Sequence, residues 1–253
     1  NIDVNVQSIR RSVLDQTTFM GGTQTTIPGL QGNSTRLTAE AEWKRSFITT
    51  GGLVLTPLLH ARGDAIGVNL DAASNTAIGQ YTALNPGVAA DVRSSYYRAM
   101  ATAGLEVRWP VLFSTASSTH VLEPMGQLFI RPNEPYGTTI GIPNEDAQSL
   151  VFDAASLFER DKFSGFDRIE GGTRANLGIR YSGNFANGWS ANGLFGQSFH
   201  IAGANPYASP DLVHAGAFSG LETSRSDYVG SFGLQSPTGL SLAASARFDV
   251  RSF

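Results

Sequence analysis

Four stretches of this chain alternate apolar and polar residues so regularly that an extended strand is the simplest account of each. Thr173, Ala175, Leu177, Ile179 and Tyr181 alternate with Arg174, Asn176, Gly178, Arg180 and Ser182. Leu240, Leu242, Ala244, Ala246, Phe248 and Val250 alternate with Ser241, Ser245, Arg247, Asp249 and Arg251. Ala99, Ala101, Ala103, Leu105, Val107 and Trp109 have Arg98, Thr102, Glu106 and Arg108 between them, and Leu37, Ala39, Ala41 and Trp43 stand against Arg36, Thr38, Glu40, Glu42 and Lys44. Successive side chains of a strand point to opposite faces, so each stretch has one apolar and one polar face. Less regular versions fall at about 2–9, 52–62, 120–131, 189–200 and 227–235. Most of these strands reach about nine residues, above the roughly 5–6 typical of soluble sheets and close to the roughly 9–11 that cross a bilayer.

The connections carry independent information. Short links (49–51, 114–118, 184–188, 236–239) alternate with long ones at about 19–34, 64–93, 132–170 and 201–224. Outer-membrane barrels alternate short periplasmic turns with long surface loops, whereas a soluble sandwich has no reason to do so. The apolar faces are rich in Ala, Gly and isolated aromatics, which suits lipid, and the opposite faces carry mixed charges, which suits a wet lumen. Tyr181, Trp189, Trp109, Trp43 and Phe248 fall toward strand ends, where an aromatic girdle sits. Pro57, Pro110 and Pro124 remove ladder donors and are expected to mark bulges or strand ends.

Composition fits the same picture. Only 15% of residues are charged and 28 are Gly, and 18 Lys+Arg against 21 Asp+Glu leave no basic excess for nucleic acid. The absence of cysteine excludes disulfides and thiolate chemistry. No run of about 18 apolar residues supplies a transmembrane helix, and a mean hydropathy of −0.09 is compatible with strands that need only every second residue apolar. The expectation is an all-β fold, an antiparallel transmembrane β-barrel segment of about nine or ten long strands with short periplasmic turns and long surface loops. Residues 1–253 are expected to form part of one outer-membrane barrel domain, cut at both ends, with 132–170 as a long structured loop. An open sheet of this kind would leave two unpaired edges and is not expected to fold alone.

The region 120–180 is the most distinctive. Leu122-Glu123-Pro124, Asp153, Asp161-Lys162-Phe163-Ser164-Gly165, Asp167-Arg168 and Gly171 match a signature of a Leu-Glu-Pro strand, an Asp-containing loop and a Phe-Ser-Gly-aromatic-Asp-Arg return into a strand. In these residues, about a quarter of the chain, it resembles the LptD family of lipopolysaccharide-assembly proteins in its alphaproteobacterial form. The resemblance implies a non-enzymatic role in the bacterial outer membrane, in which a very large barrel inserts lipopolysaccharide into the outer leaflet. It also implies an LptE-type plug lipoprotein as partner, and a periplasmic bridge protein that delivers the lipid to a domain outside this chain. No cofactor is implied.

Locally, Ser164-Gly165 suits a turn, Asp167 a carboxylate bonded to nearby amides, and Gly171-Gly172 a close backbone approach. Phe152, Leu157, Phe158, Phe163 and Phe166 offer the apolar surface for the loop to fold over the lumen. The acidic residues Glu145, Asp146, Asp153, Glu159, Asp161 and Asp167 suggest cation binding, but their spacing is not that of a calcium loop and Arg160, Lys162 and Arg168 are interleaved. Salt-bridged packing is the expectation. Arg174, Arg180, Arg247 and Arg251 are candidate lumen charges for lipid phosphates or the plug, against the plainer role of keeping a lumen hydrated. His60, His120, His200 and His214 are scattered and form no metal-ligand pair. No Gly-x-Ser-x-Gly elbow is present, so no catalytic residue is expected. The competing functions are a porin or gated solute transporter, which predicts conductance, and a barrel hydrolase, which predicts a single essential Ser, His or Asp.

Overall fold

The computed structural model describes residues 1–18, 25–146, 150–209 and 211–250. Nine long strands run as an antiparallel meander in which each pairs with the next. They are β1 (Ile2–Arg11), β2 (Gly32–Lys44), β3 (Val54–Leu70), β4 (Ser95–Arg108), β5 (Ser118–Ile130), β6 (Thr173–Phe185), β7 (Ser190–Ala202), β8 (Tyr228–Gln235) and β9 (Ser241–Phe248). Among the described residues β1 and β9 each pair on one side only. The links β2–β3, β4–β5, β6–β7 and β8–β9 are short and lie at one end, while 12–31, 71–94, 131–172 and 203–227 lie at the other.

Burial is inverted relative to a soluble sheet. On one face Val4, Leu37, Leu59, Leu105, Leu177 and Phe232 are all exposed, whereas on the other Thr38, Asp64, Arg98, Thr102, Asn176 and Ser198 are buried. Lipid solvates an apolar outer face well, and a polar inner face is stable only when its groups find hydrogen bonds. The long-loop end supplies those bonds, as well as an apolar core. No described helix is long and apolar enough to cross a membrane, which leaves strands as the spanning elements to consider.

Register explains the prolines. β2 pairs β3 as far as Leu58, and the short strand Phe47–Ile48 resumes at Leu55, so Pro57 stands where that ladder is interrupted. Likewise β4 pairs β5 as far as Met125 and Val111–Ser114 resumes at Leu122, with Pro110 in the break and Pro124 opposite it. Trp43, Trp109, Tyr181 and Trp189 collect at the short-turn rim, and Phe248 lies at the far end of β9.

Two boundaries differ from the sequence expectation. β3 runs on to Leu70, into residues expected to be loop, and the remaining connection contains a helix, α1 (Ala72–Leu84). Its buried residues Ser74, Ala77, Ile78 and Tyr81 follow the i, i+3, i+4, i+7 spacing of one helical face. That face packs on Ile27, Leu30 and Ile140 from neighbouring loops. The helix stops at Asn85, whose backbone and side-chain nitrogens both donate to the Tyr81 carbonyl, at 3.0 and 2.8 Å.

Candidate functional site

The 131–172 loop turns inward and lies on the polar wall. Thr38, Asp64 and Arg98 are direct neighbours across β2, β3 and β4, and every second residue of a strand shares a face. Arg36 and Arg62 therefore join them in one inward cluster. Asp64 takes the Thr38 hydroxyl at 2.6 Å, Arg98 Nε at 2.7 Å and Arg62 Nη2 at 3.0 Å.

Three guanidiniums from three consecutive strands then grip the loop at Phe166 and Asp167. Arg62 and Arg98 donate to the Phe166 carbonyl at 2.5 and 2.8 Å, and Arg98 also donates to the Asp167 carbonyl at 2.9 Å. Arg36 pairs with the Asp167 carboxylate. The Phe166 ring lies 5.2 and 5.3 Å from Arg36 and Arg62, within the range of a cation–π contact. Opposite the arginines, Asp146 accepts the Phe166 and Asp167 N–H groups, each at 2.5 Å. A Cβ at Gly165, which has φ +86°, would fall on that Asp146 carboxylate, so the turn needs glycine on both counts.

A second cluster joins the same loop to β5, β6 and the 203–227 loop. Asp161 accepts the N–H groups of Phe163 and Glu170, both at 3.0 Å. Glu170 lies 2.6 Å from Arg174 and 3.4 Å from Arg131, and Lys162 donates to Asn176 at 3.3 Å. Burial and the adjacent Glu170 push the Asp161 carboxyl up to about 6. Burial pulls the Lys162 ammonium down to about 8 despite the pull of Glu170. Burial alone would raise Glu170, but Lys162, Arg131 and Arg174 together hold it near 2. Around these charges Phe152, Leu157, Phe163, Tyr207, Leu221 and Val229 form an apolar core, with Phe158 against it. Each buried side chain of this size contributes roughly 1.5–3 kcal/mol. At Gly196 the wall is bare enough for Leu157 to lie where a Cβ would be.

These contacts place the distinctive motif of the sequence on the inside of a sheet whose outside is apolar. A family model described as "LPS transport system D", LptD, matches residues 1–253, the whole chain. The chain belongs to the LptD family. Its general role is therefore lipopolysaccharide transport and outer-membrane biogenesis. A comparison with curated protein sequences gives no match.

The LptD motif residues do different things. Glu123 faces inward between Arg108 and Arg180, at 3.5 Å from each, while Pro124 belongs to the outer face. Asp153 closes a local turn by accepting the Ala155 and Ser156 N–H groups at 2.9 Å. Phe163 stacks on Tyr207 at 4.6 Å and lies 4.4 Å from the Arg168 guanidinium. Arg168 pairs with Asp211 and donates to the Pro206 carbonyl at 2.7 Å. Ser164 is exposed beside Gly165, and Gly171 is buried.

Of the six acidic residues of the loop, Glu145 and Asp167 are salt-bridged, Asp146, Asp153 and Asp161 hold backbone N–H groups, and Glu159 is exposed. Glu145 pairs with Arg11 at 2.5 Å, and Asp167 Oδ2 accepts the Glu145 N–H at 2.8 Å. The candidate lumen arginines form no single row. Arg174 is fully enclosed, Arg180 is half exposed at Glu123, and Arg247 holds the Phe218 and Ser219 carbonyls at 3.0 and 2.9 Å. Arg251 lies outside the described residues. Sequence reasoning did not bring Arg36, Arg62, Asp64 and Arg98 together: Asp64 fell in a stretch read as loop, and the arginines were placed only within separate strands. The one available signal was their shared inward parity on neighbouring strands.

Proposed function

We propose that this chain forms part of the wall of an outer-membrane translocon that inserts lipopolysaccharide into the outer leaflet. The complete barrel is plugged by an LptE-type lipoprotein and supplied by a periplasmic bridge protein through a domain outside this chain. The observation that carries the reading is the inverted burial: an apolar face turned outward, and a polar inner wall on which the family-motif loop is seated. The two single-paired edge strands support a segment of a larger barrel, since a sheet crossing lipid must have its edges paired. The 131–172 loop forms the structured unit on the luminal side. The work is transport, with no bond made or broken and no cofactor required.

Depletion of the full-length protein in its own cells, followed by an assay of newly made lipopolysaccharide at the surface, tests this. Stalling of the lipid in the periplasm or inner membrane is expected. Normal arrival at the surface together with lost solute uptake would replace the reading with a pore.

A further inference from the structure

Most inward arginines of the wall are enclosed or held by several partners, as Arg247 is by two carbonyls and Asp227 and Arg11 by both oxygens of Glu145, but two are neither. Arg108, the last residue of β4, and Arg180, in β6, both turn inward and flank Glu123 of β5. Their side chains are 39% and 45% exposed, whereas the Glu123 side chain is 11% exposed. Each guanidinium lies 3.5 Å from a different Glu123 oxygen, and among the described residues neither has another polar partner. A guanidinium carries five N–H donors in a fixed fork, and only one nitrogen of each lies near Glu123, so most donors of both residues are unengaged by the described residues. The other carboxylate on this part of β4, Glu106, accepts the Gln127 amide at 2.9 Å, and Gln127 also donates to the Phe158 carbonyl at 3.0 Å. The pair thus sits toward the short-turn end of the wall, one inward position beyond Gly178, against which the Phe158 ring lies.

We propose that Arg108 and Arg180 form an anion site, preorganised by Glu123, that takes a phosphate of the lipopolysaccharide head group. Two half-exposed guanidiniums held on either side of one carboxylate have donors left for a second anion, and a phosphate accepts paired N–H donors from arginine. Glu123 sets the spacing of the two forks and limits their mutual repulsion without filling their donors. This inference rests on the translocon reading above.

The test uses the full-length protein purified with its partner lipoprotein in detergent, and compares binding of native lipopolysaccharide with the same lipid after phosphatase treatment. Arg108→Gln/Arg180→Gln is expected to weaken binding of the native lipid about tenfold, in line with losing charge-assisted hydrogen bonds. It should leave the dephosphorylated lipid unaffected, and Arg108→Lys/Arg180→Lys should retain part of the difference. Equal weakening of both lipids, or no weakening of either, overturns the site. So does loss of partner co-purification with lipid affinity intact, which would assign the pair to an acidic protein surface. Saturation by inorganic phosphate with no preference for the lipid would assign it to the free ion and overturn the lipid source. If the unaltered complex binds neither lipid, the translocon reading falls as well.

Discussion

Two groups of inward arginines on the same sheet show how position decides what a charge is for. Arg36, Arg62 and Arg98 have side chains only 2–5% exposed and are occupied by carbonyls, carboxylates and the Phe166 ring. Arg108 and Arg180 are many times more exposed and share one carboxylate at a longer distance. The first group closes the long-loop end of the wall by holding a loop in place. The second stands toward the short-turn end with donors to offer. A buried ion pair is dangerous to break because the remaining charge is stranded, whereas an exposed one contributes little to stability.

That contrast can be broken most forcefully at Arg98. Arg98→Ala leaves Asp64 with one fewer cation, frees the Asp167 carbonyl and leaves the Phe166 carbonyl to Arg62 alone, so a loss of about 3–5 kcal/mol is expected. Thermal unfolding of the full-length complex in detergent measures it, and a loss below about 1 kcal/mol would mean the cage is not what seats the loop.

The second cluster gives the next effect. The Asp161 carboxyl titrates near 6 when folded, above its ordinary value of 3.8. For a raised acid the folded state holds the proton more tightly, so stability is greatest at low pH and is lost as pH rises through 6. Between pH 4.5 and 7 this amounts to about 2 kcal/mol. Glu170, held low, acts in the opposite sense only below about pH 4.5. The melting temperature should therefore be higher at pH 5 than at pH 7, and Asp161→Asn should flatten that slope. An unchanged slope would remove Asp161 as its source.

Gly165→Ala is expected to cost about 1–3 kcal/mol through its positive φ and the collision with Asp146. Limited proteolysis of the 131–172 loop should register it as faster cleavage. The smallest effect sharpens the comparison from the other side: Arg108→Gln should change thermal stability by under about 1 kcal/mol. A drop matching that of Arg98→Ala would erase the distinction between the two groups.

The sequence made the sheet readable because alternation is a local property. Ala175 to Ser182 states its two faces without reference to any other part of the chain, and the alternating loop lengths are equally direct. Helix α1 was missed because its buried face is Ser74, Ala77, Ile78 and Tyr81, of which only Ile78 is a large purely apolar residue, so the face stands out little from its flanks. The inward fold of the loop was legible in its large apolar residues, of which Phe152, Leu157 and Phe163 are buried. The cage was not legible, because Arg62 meets Phe166 across 104 positions and no local pattern records such a pairing. The motif residues Asp167 and Gly165 could be picked out by type. What they meet, Arg36 and Asp146, could not.

The reach of those contacts also sets an order of assembly. The 131–172 loop touches residues as distant as Arg11, 134 positions from Glu145, and Arg36, Arg62 and Arg98 on three different strands. Closing such long spans is entropically costly until the intervening chain is already arranged. The loop therefore has no stable seat until β1 to β6 lie side by side, and seating it is a late event in the biogenesis of the wall. An incompletely inserted barrel would carry this loop undocked and open to proteases.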